Sequence, residues 1–75
     1  MKYCIGKMLK EARERGNLTQ EQLAEKVGKK RSYIARIESE EGSRNISLKT
    51  LKEVVEKGFG KKIKIEFVTD ENIHL

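Results

Sequence analysis

The chain has 75 residues, 36% of them hydrophobic and 39% charged, with a formal net charge of +5 at pH 7 and only four aromatic side chains. That length makes one small domain, too short to enclose a catalytic cleft as well as a core, and so polar a composition buries a modest helical core that gains from a partner or a second copy. No apolar run approaches the roughly 20 residues of a membrane span, and the charged start MKYCIGKMLKEA is unlike a signal peptide, so a cytoplasmic protein with no membrane partner is expected.

The first element is a helix over about 5–15, where Ile5, Met8, Leu9 and Ala12 fall on one inward face and Gly16-Asn17 stops the period. Cys4 has no second cysteine to pair with and no nearby histidine, so it reads as a small packed or partly exposed residue rather than a metal ligand. The second helix opens at Thr19, whose side chain can accept from the amide of Gln22 while Gln22 reaches back. Leu23, Ala24 and Val27 then recur at helical spacing, and Gly28 supplies the left-handed turn that ends the run. Tyr33, Ile34 and Ile37 resume the period on a new axis, giving a third helix over about 30–39. Residues 39–46 (SEEGSRNI) read as a loop. Ser47 caps a fourth helix to about Lys57, with Leu48, Leu51, Val54 and Val55 inward, and Gly58-Phe59-Gly60 ends it.

Beyond residue 60 the period changes from helix to strand, since Ile63, Ile65 and Phe67 alternate with Lys62, Lys64 and Glu66. A lone strand leaves backbone amides and carbonyls unpaired, so 61–68 is predicted to pair with its own copy across a two-fold axis; the alternative is pairing within the chain against Met1 to Ile5, where Tyr3 and Ile5 also alternate. Residues 69–75 show no pattern and read as a tail. The organisation predicted is thus a domain over 1–60, a dimerisation strand over 61–68 and a tail over 69–75.

The charge is concentrated. Lys26, Lys29, Lys30, Arg31 and Arg36 lie within eleven residues that hold no acid, whereas the remainder carries twelve charges of each sign. A charge run by itself is usually a solvated face. Set at the turn between two short helices, it matches what a DNA major groove selects for.

Arg13 in the first helix, Leu18-Thr19-Gln20, Leu23-Ala24, Val27-Gly28, Ser32-Tyr33-Ile34, Ile37-Glu38, Ser47-Leu48 and Thr50-Leu51 together resemble the helix-turn-helix of Cro/CI-type (XRE) repressors, from about Lys7 to Glu56. The resemblance implies an all-α, lambda-repressor-like fold of four or five short helices, a homodimer, and double-stranded DNA as partner. It implies base contacts from Lys30, Arg31, Ser32 and Arg36, phosphate contacts from Gln20, Lys29 and Tyr33, and a structural ion pair between Arg13 and Glu38. The competing reading of Arg36 is a surface pair with Glu40, and that of Tyr33 is packing. The chain departs from the family where Lys29 and Lys30 replace a small apolar residue and a Ser or Thr, which removes the usual cap of the third helix. Its 39–46 loop is also about two residues longer, with Ile46 where proline is frequent. A carboxy-terminal strand after this pattern is similar to that of HigA- and HipB-type antitoxins, which repress their own operon and bind a toxin.

Catalysis is not expected. His74 is the one histidine, no carboxylate pair sits on a recognisable scaffold, and Gly58-x-Gly60 is a helix break rather than a phosphate loop. Neither a cofactor nor a metal is called for. The expected function is a sequence-specific transcriptional regulator acting as a repressor. The rival is an antitoxin or protein-binding scaffold that uses its carboxy-terminal strand.

Overall fold

The computed structural model describes residues 4–67. They form five α-helices, α1 (Ile5–Arg15), α2 (Gln20–Val27), α3 (Arg31–Glu38), α4 (Glu40–Ser43) and α5 (Leu48–Glu53), the last continuing as a π-helical turn over Val54–Gly58. The starts and stops follow from local chemistry. Thr19 Oγ1 accepts from the Gln22 amide at 3.1 Å while Gln22 Oε1 accepts from the Thr19 amide at 2.9 Å, so two orphan donors of α2 are satisfied reciprocally. At the other end Gly28 takes φ 76°, and the Lys29 amide closes back on Ala24 O at 2.8 Å. Asn17, the one non-glycine residue at positive φ among those described, does the same for α1, with Leu18 N–H donating to Arg13 O at 3.1 Å.

The core is one cluster of Leu9, Leu23, Ala24, Val27, Ile34, Ile37 and Val54, of which Leu23, Ile34 and Val54 are fully buried. Each such aliphatic side chain contributes about 1.5–3 kcal/mol. Helices α2 and α3 pack on one another across the Gly28 bend, α1 lies against α3 and α4, and the π turn lies against α2. Two close approaches depend on glycine. A Cβ at Gly6 would strike the Glu38 carbonyl, and one at Gly58 would strike the Leu23 side chain.

Several expectations are corrected. The segment 39–46 is not a plain loop, because Ser39 accepts from the Gly42 amide at 2.9 Å and caps α4 while also ending α3. Met8 and Leu48, expected inside, are each 57% exposed: Met8 sits at the rim of the α1 apolar face, and Leu48 is the first residue of its helix. The fourth predicted helix divides into α5 and the π turn, closed by Gly60 at φ 65° and by Lys61 N–H to Val55 O at 3.2 Å.

The predicted strand is absent among the described residues. Residues 61–67 are irregular and make no ladder, since no second segment lies beside them and Ile5, the proposed partner within the chain, is the first residue of α1. Phe67 is fully exposed, Ile65 is 54% exposed and Ile63 is half-buried. On the other side of the segment Lys64 Nζ meets a Glu66 carboxylate oxygen at 2.6 Å, so charged and apolar side chains alternate without a partner to cover the apolar ones. Residues 1–3, residue 68 of the strand and the 69–75 tail lie outside the described residues.

Candidate nucleic-acid interface

Helix α3 is where the local chemistry departs from the rest of the fold. Its N-cap, Lys30, has an extended backbone and makes no side-chain cap, so the first amides of α3 face outward without an internal acceptor. Beside them stand Lys29, Lys30, Arg31, Ser32 and Arg36, all exposed. Lys29, Lys30, Ser32, Tyr33 and Arg36 line one shallow concavity of about 400 Å³. No acidic side chain shares it. The positive end of the helix dipole and the cations therefore add, giving a surface that attracts anions before any specific contact forms.

Tyr33 organises that concavity. Its ring is half-buried against the core, and it carries Lys29 Nζ at 5.4 Å and Arg36 Cζ at 5.3 Å from the centroid. The packing reading of Tyr33 and the contact reading thus coexist in one side chain, whose inner edge packs and whose face holds two cations at the surface. Arg36 is drawn to the ring. The pair with Glu40 does not form, because Glu40 instead meets Arg44 Nη2 at 3.6 Å, one turn further on.

A second arrangement lies behind the first turn of α3. Arg13 Nε donates to Glu38 Oε2 at 2.7 Å, Arg13 Nη2 to Glu38 Oε1 at 3.1 Å, and Arg13 Nη1 to the Leu18 carbonyl at 2.8 Å. Both residues are buried. The hydrogen bond from Glu38, ahead of the opposing effect of burial, raises the Arg13 pKa above its ordinary value, so this guanidinium stays charged. Gln20, the first residue of α2, donates from Nε2 to Glu38 Oε1 at 3.2 Å, and its Oε1 accepts from Arg31 Nη1 at 3.1 Å. A carboxylate only accepts and a guanidinium only donates, so these two neighbours fix the orientation of the Gln20 amide.

The result is a chain of contacts, Arg13 to Glu38 to Gln20 to Arg31, from the buried pair to the exposed first turn of α3. Sequence reasoning placed Gln20 at a phosphate and missed its role as a bridge. The available signal was that Gln20 and Arg31 each begin a helix on either side of a tight bend, which sets their side chains facing one another. Ile63, Ile65 and Phe67 stand apart from this site on the extended segment.

Comparison with known proteins agrees with the geometry. A helix-turn-helix family model matches residues 9–58, about two-thirds of the chain, a span that contains Gln20, the whole reading surface and both members of the buried pair. No curated protein and no solved structure matches.

Proposed function

The chain belongs to the helix-turn-helix family of the Cro/CI type, a DNA-binding family, and from that premise we propose that it is a sequence-specific transcriptional regulator that represses by occupying its operator as a homodimer. The observation that carries this reading is the exposed, acid-free first turn of α3 with Arg31 oriented by Gln20. A planar guanidinium held in place loses little freedom on meeting a guanine O6/N7 edge, and such a contact discriminates by about 1–3 kcal/mol. Arg31 and Arg36 are the principal base readers, with Lys30 and Ser32 beside them. Lys29, Tyr33 and Gln20 serve the phosphates, where the free amides of the α2 amino terminus add to the attraction.

The dimer is supported by the extended 61–67 segment, whose apolar side holds Ile63, Ile65 and Phe67 and whose backbone has no partner in a single chain. Pairing with the same segment of a second copy would satisfy that backbone and cover Phe67. Two recognition helices about 34 Å apart then read an inverted repeat. The same exposed segment favours a second reading, in which it adds as a strand to a different protein, such as a toxin, and the two roles coexist in one chain.

Selection of duplexes from a random pool at physiological salt tests the proposal. An enriched inverted repeat with half-sites about ten base pairs apart is expected. The double variant Arg31→Ala with Arg36→Ala should lose that enrichment while keeping its helical circular dichroism. Enrichment unchanged in the double variant would refute the assignment of the reading residues.

A further inference from the structure

Away from the reading surface, three helix carboxy termini converge on one open groove of about 460 Å³. Each brings a cation: Arg15 from the last turn of α1, Lys26 from that of α2 and Lys57 from the π turn, with Lys61 following directly. Cations at helix ends have an ordinary reason, which is to offset the partial negative charge of the terminal carbonyls, about half a charge per helix. Here four full charges oppose about three halves, and no carboxylate lines the groove, so a positive excess remains. The terminal carbonyls are in addition already closed by the left-handed caps at Asn17, Gly28 and Gly60. Helix capping accounts for part of this charge and leaves the rest without a use.

The floor between the cations is apolar, formed by Ala12, Leu18 and Phe59, all half-buried. We propose that this groove is a docking site for an acidic segment of a partner protein, one that presents several carboxylates around a leucine-sized side chain. The inference goes beyond the DNA-regulator reading and does not rest on it.

Charge and shape select this occupant over others. A phosphodiester backbone would satisfy the cations but has no apolar group to cover Leu18 and Phe59, and the groove shares no residue with the concavity on α3. A small anion meets helix carboxy termini here, which offer carbonyls instead of the amides that make a helix amino terminus an anion site. Exposed lysines each hold an anion weakly, so affinity requires several carboxylates on one chain together with apolar burial. An acidic segment with a leucine supplies both. The π turn sets the geometry, because it is the element that seats Gly58 on Leu23 and brings Lys57, Phe59 and Lys61 to the α1–α2 junction.

The test uses the full chain and a fluorescein-labelled peptide, Asp-Glu-Leu-Glu-Asp-Leu-Glu-Asp, at low ionic strength, read by fluorescence anisotropy. Lys57→Ala with Lys61→Ala, both exposed positions, should weaken peptide binding by about tenfold and leave operator affinity within about twofold. Replacing both peptide leucines by serine should weaken binding by a similar factor. Arg31→Ala with Arg36→Ala should leave peptide binding within the same twofold range, which separates the groove from the DNA surface. No measurable peptide binding, equal losses in the two double variants, or a loss of operator affinity in the groove variant as large as its loss of peptide affinity would each overturn the proposal, the last by making the groove a nucleic-acid contact.

Discussion

Glu38 accepts hydrogen bonds from both Arg13 and Gln20 in a site closed to water, so the consequences of removing it extend in two directions. Glu38→Ala leaves the Arg13 guanidinium buried without its counter-charge and should destabilise the domain by about 3–5 kcal/mol, seen as a large fall in melting temperature. Arg13→Met combined with Glu38→Leu should be milder than Glu38→Ala alone, because no uncompensated charge remains. The pair is not an alkaline switch. A raised Arg13 pKa means its contribution is fully present below the unfolded value and is lost only as pH rises through a folded value that is higher still, so melting should be flat across the neutral and mildly alkaline range. Lys30 shows the opposite trade. Lys30→Ser supplies the cap that α3 lacks and should raise stability by about 1 kcal/mol while weakening DNA binding and reducing its salt slope by about one. At this scale the exposed cations were legible because they stand in a run without acid. The Arg13 to Glu38 contact spans 25 residues, and no local pattern carries it; only the family resemblance pointed there.

At the scale of elements, close approach matters more than propensity. Gly6 lets α1 settle on the last turn of α3, and Gly6→Ala meets a backbone carbonyl that cannot turn aside. A loss of about 1–3 kcal/mol is expected on thermal unfolding, well above that of Gly16→Ala, where the nearest atoms stand at 3.5 Å or more. Helix α2 was fully legible, since its capping box and its terminal glycine are sequence-local devices. Helix α4 was not. It is four residues long, and its start depends on Ser39 serving two helices at once, a role visible only when the axis of α3 is known. The π turn was equally hidden, because the period of Val54 and Val55 is satisfied by either helical geometry and what distinguishes them is the seat of Gly58 on Leu23.

For the whole molecule, the segment beyond residue 60 decides the assembly. A mass of two chains by light scattering at micromolar concentration is expected, and Ile65→Lys with Phe67→Lys should return it to one chain without altering the helical signal; a wild-type mass of one chain would remove the homodimer. The alternation over 62–67 was legible as a two-sided extended segment, yet a strand also needs a ladder partner, which one copy of the chain does not provide. How that segment leaves the domain is set by the π turn. A π turn accommodates one residue more than an α-helix of the same span needs, so it is a unit of stored register. Deleting a single residue within 54–58 would let the helix run on in α geometry and swing everything after it by about 100°, aiming Ile63, Ile65 and Phe67 elsewhere. In a two-fold assembly that change of heading alters the separation of the two recognition helices while leaving every reading side chain in place. Operator spacing in this chain would then diverge by insertion or deletion near residue 56, independently of the bases read.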